Sequence, residues 1–190
     1  MPESSKKIIL IDRDGTISQR LDQGQYVLTW EQFQFVPETL QALRELAEDG
    51  FEFIVITNQA GIALGVAEEV EVDRIHENMV AELGRLGIRV LDVYMSPDHW
   101  DSGSVTRKPA PGMFFRASDE HRFRLDRVLY IGDDIRDCQA AATAGCGMVF
   151  LADPTVNHDL PATSHHQSVH ESLMGALHVI RSYYDRGPDS

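Results

Sequence analysis

Cysteine is nearly absent. Cys138 and Cys146 are the only two, too few for a disulfide framework or a zinc ribbon. Both stand among alanine, glycine and apolar residues, which reads as buried thiols. Basic residues are scarce too: 17 Lys and Arg face 30 Asp and Glu, for a formal net charge of −13 over 190 residues. Such a surface repels nucleic-acid backbones and anionic membranes, so neither is expected as a partner. No apolar run approaches the roughly 20 residues that cross a bilayer, and the opening MPESSKK lacks the apolar stretch of a secretory signal. No GxxxxGK[ST] loop occurs, which excludes a Walker-type phosphate cradle. A cytoplasmic protein with one domain over residues 1–190 is the expectation.

What the chain does have is short, continuous apolar runs. Ile8–Ile11, Phe53–Ile56, Val90–Met95, Val128–Ile131 and Met148–Leu151 read as strands of a parallel sheet covered on both faces, where side chains of either parity are buried. Helical patterns lie between them. Pro37–Asp49 sets Leu40, Leu43, Leu46 and Ala47 on one stripe and stops at Gly50; Ala67–Leu86 repeats the pattern and stops at Gly87. Pro111–Phe123 and Ile135–Ala144 are shorter candidates. Ser168 and Glu171 have capping-box spacing ahead of Leu173, Leu177 and Ile180. Residues 153–167 read as surface loop, with His165 and His166 a solvated pair, and the tail DRGPDS as frayed. Alternating strands and helices predict an α/β, doubly wound, mostly parallel sheet of five or six strands.

Ligands of such sheets bind beyond the carboxyl ends of the strands, and polar chemistry is concentrated there. Asp12-Arg13-Asp14-Gly15-Thr16 follows the first run, Thr57-Asn58-Gln59 the second, and Gly132-Asp133-Asp134-Ile135-Arg136-Asp137 the fourth. The third leads into SPDHWDSGSVTRKP, a loop ending in Arg107-Lys108. Each aspartate alone could be a turn or helix-cap residue. Together, close carboxylates leaving two strands repel one another unless a cation joins them, and oxygen-liganded Mg²⁺ suits that set. Thr57, Asn58 and Lys108 add donors and a cation able to neutralise a phosphoryl group in transfer. A carboxylate nucleophile would split that transfer into two steps through an aspartyl-phosphate.

With these residues in this order, residues 7–152 resemble the haloacid dehalogenase (HAD) superfamily of phosphatases: DRDGT resembles its first motif, Thr57 the second, Lys108 the third and GDDIRD the fourth. YVLTWEQFQFVPETLQAL, TNQAGIALG and RKPAPGM resemble one capless branch, the D-glycero-D-manno-heptose 1,7-bisphosphate phosphatases and related histidinol-phosphatases. The resemblance implies Asp12 as nucleophile and Asp14 as general acid and base. It implies Thr57 and Lys108 on the phosphoryl oxygens, and Asn58, Gln59 and Arg107 on the substrate. Mg²⁺ would be held by Asp12, the Asp14 backbone carbonyl and Asp133. Asp134 falls where relatives vary, and Asp137 supports the site or the fold.

One loop departs from that branch. Many of its members carry zinc ligands just before RKP, at positions occupied here by Ser96, Asp98, Ser104 and Thr106. None is a thiolate or an imidazole, and His99 is the loop's one histidine, so zinc is not expected. Hydrogen bonds, packing of Trp100 or a shorter course must hold the loop instead. The expected activity is Mg²⁺-dependent hydrolysis of a small phosphorylated sugar by a monomer, foremost removal of the 7-phosphate of heptose 1,7-bisphosphate. Histidinol phosphate or another sugar phosphate is the alternative substrate. Polynucleotide 3′-phosphatases share similar motifs, but TRK and DEHRFRLDR are the only basic stretches on offer. A non-catalytic binding protein on the same fold would have no need of Asp12, Asp14, Lys108 and Asp133 together.

Overall fold

The computed structural model describes residues 6–22, 24–163 and 165–186. Its centre is a six-stranded sheet, parallel throughout, in the order β3-β2-β1-β4-β5-β6. The strands are β1 (Lys7–Ile11), β2 (Phe51–Asn58), β3 (Val90–Ser96), β4 (Leu129–Gly132), β5 (Gly147–Leu151) and β6 (Gln167–His170). Helices α1 (Pro37–Glu48), α2 (Glu69–Arg85), α3 (Gly112–His121), α4 (Ile135–Ala144) and α5 (Leu173–Arg186) complete the layers. No helix among the described residues is long and apolar enough to cross a membrane.

Two-sided burial explains the unbroken apolar runs. Ile9 and Ile11 of β1 face a core formed with α1, α2 and α5. Ile8 and Leu10 face a second core formed with α3 and α4, which also contains Cys138 and Cys146. Burial pushes both thiols up to about 12, so they pack as small hydrophobes. α1 and α2 end just before Gly50 and Gly87, whose positive φ of 86° and 80° turns the chain out of the helix.

The expected elements are present, with β1, β2, β3 and β5 longer, β4 shifted by one residue and α1, α2 and α3 shorter than expected, apart from one region. Ser168–His170 is not a helix entrance. With Gln167 it forms β6, paired in parallel with β5 from Met148↔Gln167 to Leu151↔His170, and α5 begins at Leu173. The expected loop therefore stops at residue 166. His166 is half-buried, within 3.1 Å of Ser168 Oγ and packed on the Tyr183 ring, so the solvated histidine pair is half right. Of the expected frayed tail, Asp185 and Arg186 end α5, and 187–190 lie outside the described residues, as do Met1–Ser5.

α5 also closes the middle of the sheet. Tyr184 Oη accepts a hydrogen bond from Leu129 N at 3.1 Å and donates to the Ile8 carbonyl, bridging the starts of β4 and β1. The opposite, carboxyl ends of those strands diverge towards helices on different sides. That is the switch point where a doubly wound sheet leaves a crevice.

Candidate active site

Asp12 leaves β1 at this crevice, its backbone N–H held by Ile131 O of β4 at 2.8 Å. The chain then wraps the Arg13 carbonyl, which accepts from Ile17 N (2.9 Å) and Ser18 N (2.8 Å). Gly15 permits the turn twice over. Its φ is +87°, and a Cβ there would lie 1.9 Å from Asp133 Oδ2. The missing side chain is what lets the β4 carboxylate approach the β1 loop.

Lys108 reaches the same point from the loop after β3. Its ammonium, 3% exposed, lies 2.8 Å from Asp12 Oδ1 and 2.8 Å from Asp137 Oδ1. It donates to Tyr130 Oη at 2.7 Å and Ile56 O at 3.0 Å. Burial works against a charged lysine, but Asp12 and Asp137 more than offset it and hold its pKa above the ordinary value. Burial pushes the Asp12 carboxyl up to about 8, against the pull of Lys108. It pushes Asp133 up to about 6, against the Arg20 guanidinium 2.9 Å away.

Asn58, at the end of β2, clamps the Lys108 backbone with both ends of its amide: Nδ2 donates to Lys108 O (2.9 Å), and Oδ1 accepts from Lys108 N (3.0 Å). Gln59 Nε2 donates to Asp14 Oδ2 (2.7 Å) and Thr57 Oγ1 (2.9 Å), so this side chain lies behind the reacting groups rather than along the cleft. Asp14 also receives both arms of Arg13 (3.0 and 2.9 Å) and Ser18 Oγ (3.1 Å). Burial alone would raise its pKa, but the Arg13 charge and these donors hold it below the ordinary carboxylate range. Arg13 is itself 1% exposed and lies 2.9 Å from His76 Nε2 of α2. Burial and the Arg13 charge push His76 down to about 3, so its neutral ring accepts from the guanidinium.

Asp12, Thr57, Asn58, Arg107 and Lys108 thus meet at one cleft of about 520 Å³, with Asp14 on its wall and Tyr26 and Trp100 at its sides. Asp137 was expected to support the site or the fold, while Arg20 and Arg136 carry little sequence signal. Asp137 forms a capping box with Asp134 at the start of α4 while its other oxygen pairs with Lys108. Arg20 and Arg136 line the cleft and both pair with Asp134. Arg136 sits inside the recognised GDDIRD, so its place in the first turn of a strand-end helix was the available clue.

The oxygens of Asp12, Asp133 and Asp137 lie within 4.8 Å of one another. An all-carboxylate set this close, two of its members raised in pKa, fits a hard divalent cation such as Mg²⁺. The zinc positions fail the same test. Ser96, Ser104 and Thr106 turn their hydroxyls onto Asp98 Oδ2, at 3.2, 2.5 and 3.3 Å, and supply no nitrogen or sulfur ligand. His99 instead accepts from Asp101 N and stacks on Trp100, which is exposed and does not anchor the loop.

The model of the polynucleotide kinase 3 phosphatase family matches residues 7–149. The D-glycero-beta-D-manno-heptose-1,7-bisphosphate 7-phosphatase of Bordetella bronchiseptica is 35% identical over 140 residues, 74% of this chain and 77% of that protein. The protein of the same name from Escherichia coli K12 is 36% identical over 151 residues, 75% and 77% of the two chains. Among solved structures, the B. bronchiseptica D,D-heptose 1,7-bisphosphate phosphatase with magnesium and phosphate superposes with a TM-score of 0.81 at 31% identity, covering 93% of this chain and 98% of that one. A HAD-like phosphatase from Mesorhizobium loti gives a TM-score of 0.70 at 25% identity, covering 97% and 89%. By sequence and by fold, the chain belongs to the polynucleotide kinase 3 phosphatase family of the HAD phosphatases, in the branch of the heptose 1,7-bisphosphate 7-phosphatases.

Proposed function

We propose that this phosphatase removes the 7-phosphate of D-glycero-D-manno-heptose 1,7-bisphosphate, as a cytoplasmic monomer. One juxtaposition carries the reading: the Asp12–Lys108 pair at the floor of a cleft whose walls hold the guanidiniums of Arg20, Arg107 and Arg136. The floor suits a phosphoryl group under attack, and the walls suit a second anionic group on the same small substrate.

Asp12 attacks phosphorus, forming an aspartyl-phosphate as the sugar alkoxide leaves. Asp14 protonates that alkoxide, then takes a proton from the water that attacks the aspartyl-phosphate and releases phosphate. Held by Arg13, Ser18 and Gln59, Asp14 is ionised and ready for the second role; to protonate the alkoxide it must leave the Arg13 fork and first take up a proton from solvent. Thr57 and Lys108 hold the phosphoryl oxygens. Asp137 fixes Lys108 and the start of α4. Asp12, Asp133 and the Asp14 backbone carbonyl would hold Mg²⁺, which when bound supplies charge to neutralise the transferring group.

Burial raises the Asp12 carboxyl against the pull of Lys108, so a cation that favours its ionised form expels protons on binding. Mg²⁺ binding is expected to release protons and to tighten as pH rises from 6 to 8. Calorimetry in two buffers of different ionisation heat measures both. Binding with no proton release would mean that Asp12 is already ionised.

The substrate is tested by phosphate release from both anomers of the heptose bisphosphate, histidinol phosphate and a 3′-phosphorylated oligonucleotide, with and without Mg²⁺. The bisphosphate is expected to exceed histidinol phosphate in kcat/KM by at least about tenfold, the scale of one lost charged contact. The net charge of −13 disfavours the oligonucleotide. Faster turnover of either competitor overturns the assignment.

A further inference from the structure

We propose that Asp98 is a positioning residue for substrate binding: its carboxylate gathers three hydroxyls into a metal-free knot that seats Arg107 in the cleft. Its Oδ2 receives Ser104 Oγ at 2.5 Å, Ser96 Oγ at 3.2 Å and Thr106 Oγ1 at 3.3 Å. Ser104 and Thr106 hydroxyls are themselves 2.9 Å apart. The three residues come from the end of β3 and the far side of the loop, so one oxygen draws the two strands of the loop together.

Arg107 hangs from this knot at both ends. Its backbone N–H donates to Ser104 Oγ at 3.3 Å, and Nη1 donates to the Asp98 carbonyl at 3.1 Å. Arg107 is 8% exposed yet lines the cleft, so little else is needed to fix its direction. Lys108, one residue on, is held independently by the Asn58 amide. The loop therefore has two separate anchors, one for the cation at the reacting phosphate and one for the cation beside it.

Hydroxyls converge on a carboxylate in this way only while it is ionised, and the hydrogen bond from Ser104 holds the Asp98 carboxyl below its ordinary range. These are the positions where the branch resembled by the sequence carries zinc ligands, and their present donors do not fit that metal.

The role of Arg107 on a second anionic group rests on the bisphosphate reading; the knot itself does not, and the test separates them. Asp98→Ala, Asp98→Asn and Ser104→Ala are compared with the wild-type holoenzyme by amide hydrogen exchange and by kinetics on heptose bisphosphate and on a small aryl phosphate. Asp98→Ala is expected to speed exchange across 99–107 at least tenfold. It should raise KM for the bisphosphate about tenfold, while kcat on the aryl ester falls less than about threefold. Asp98→Asn, which keeps an acceptor oxygen, should recover part of both effects. Should Asp98→Ala fail to fold, Ser104→Ala removes the shortest contact and should give the same pattern at reduced size.

Unchanged exchange in both alanine variants overturns the knot. So does stoichiometric zinc in wild-type protein grown with zinc, lost on substitution of Asp98. Equal loss on both substrates overturns the positioning of Arg107. A wild-type enzyme inactive on the bisphosphate overturns the substrate reading alone, because the exchange data still stand.

Discussion

Asp12→Asn is expected to lower kcat at least about a thousandfold while leaving the protein folded, because the amide keeps the shape but cannot form the acyl phosphate. The surroundings make this substitution informative. Asp12 is buried against Lys108, and burial already pushes its carboxyl up to about 8. An uncharged isostere therefore removes a group whose ionised form burial disfavours, and Asp137 remains to pair the ammonium. Stability should be equal or slightly higher in chemical denaturation, as when a functional group is held at a cost to the fold. Turnover near the wild-type rate would remove Asp12 as nucleophile. A fall in stability that tracks the fall in activity would make it a structural residue.

Lys108→Met should cost both activity and fold. The apolar chain fills similar space but leaves the carboxylates of Asp12 and Asp137 facing each other without a cation. Breaking a buried pair from one side costs about 3–5 kcal/mol. For a chain of this size that lowers Tm by roughly 6–20 °C. The sign of the pH dependence follows from Asp12. A carboxyl raised on folding favours the folded state while it is protonated, and that contribution is lost as pH rises through its folded pKa. Losing Lys108, which pulls the Asp12 carboxyl down, raises it further, so the variant goes on losing stability where the wild type levels off, and its deficit widens as pH rises from 6 to 9. Urea midpoints across that range measure it, and a midpoint equal to wild type at pH 8 would contradict the buried-cation account.

The sequence was most legible where burial is most complete. β1, β2 and β4 announce themselves because both their faces are covered, leaving no polar parity. β6 has half-buried residues throughout and lies at a sheet edge. Ser168 within it and Glu171 just after it mimic a helix cap, and only pairing with β5 decides otherwise. At the site, Asp12, Asp14, Thr57 and Lys108 could be read from strand ends and motif order. The buried Arg13–His76 contact could not, since an arginine and a helical histidine 63 residues apart look solvated until α2 packs over the turn. Asn58 and Gln59 were legible as polar residues near the site, but their amides are engaged by Lys108 and by Asp14 with Thr57, partners that only folding brings near.

The pairing of β1 with β4, sealed by Tyr184, also dictates an order of events during synthesis. Ile9 meets Leu129 across about 120 residues of chain, so the centre of the sheet is its least local contact and closes slowly. A nascent chain that has emerged only through α3 can pair β1 with β2 but presents Lys7–Ile11 as an open, apolar edge. Asp12 is translated early and stays without Asp133, Asp137 and the Tyr130 hydroxyl until β4 and α4 arrive. Catalysis is thus acquired late, and the interval before it is when this chain is most exposed to edge-to-edge association.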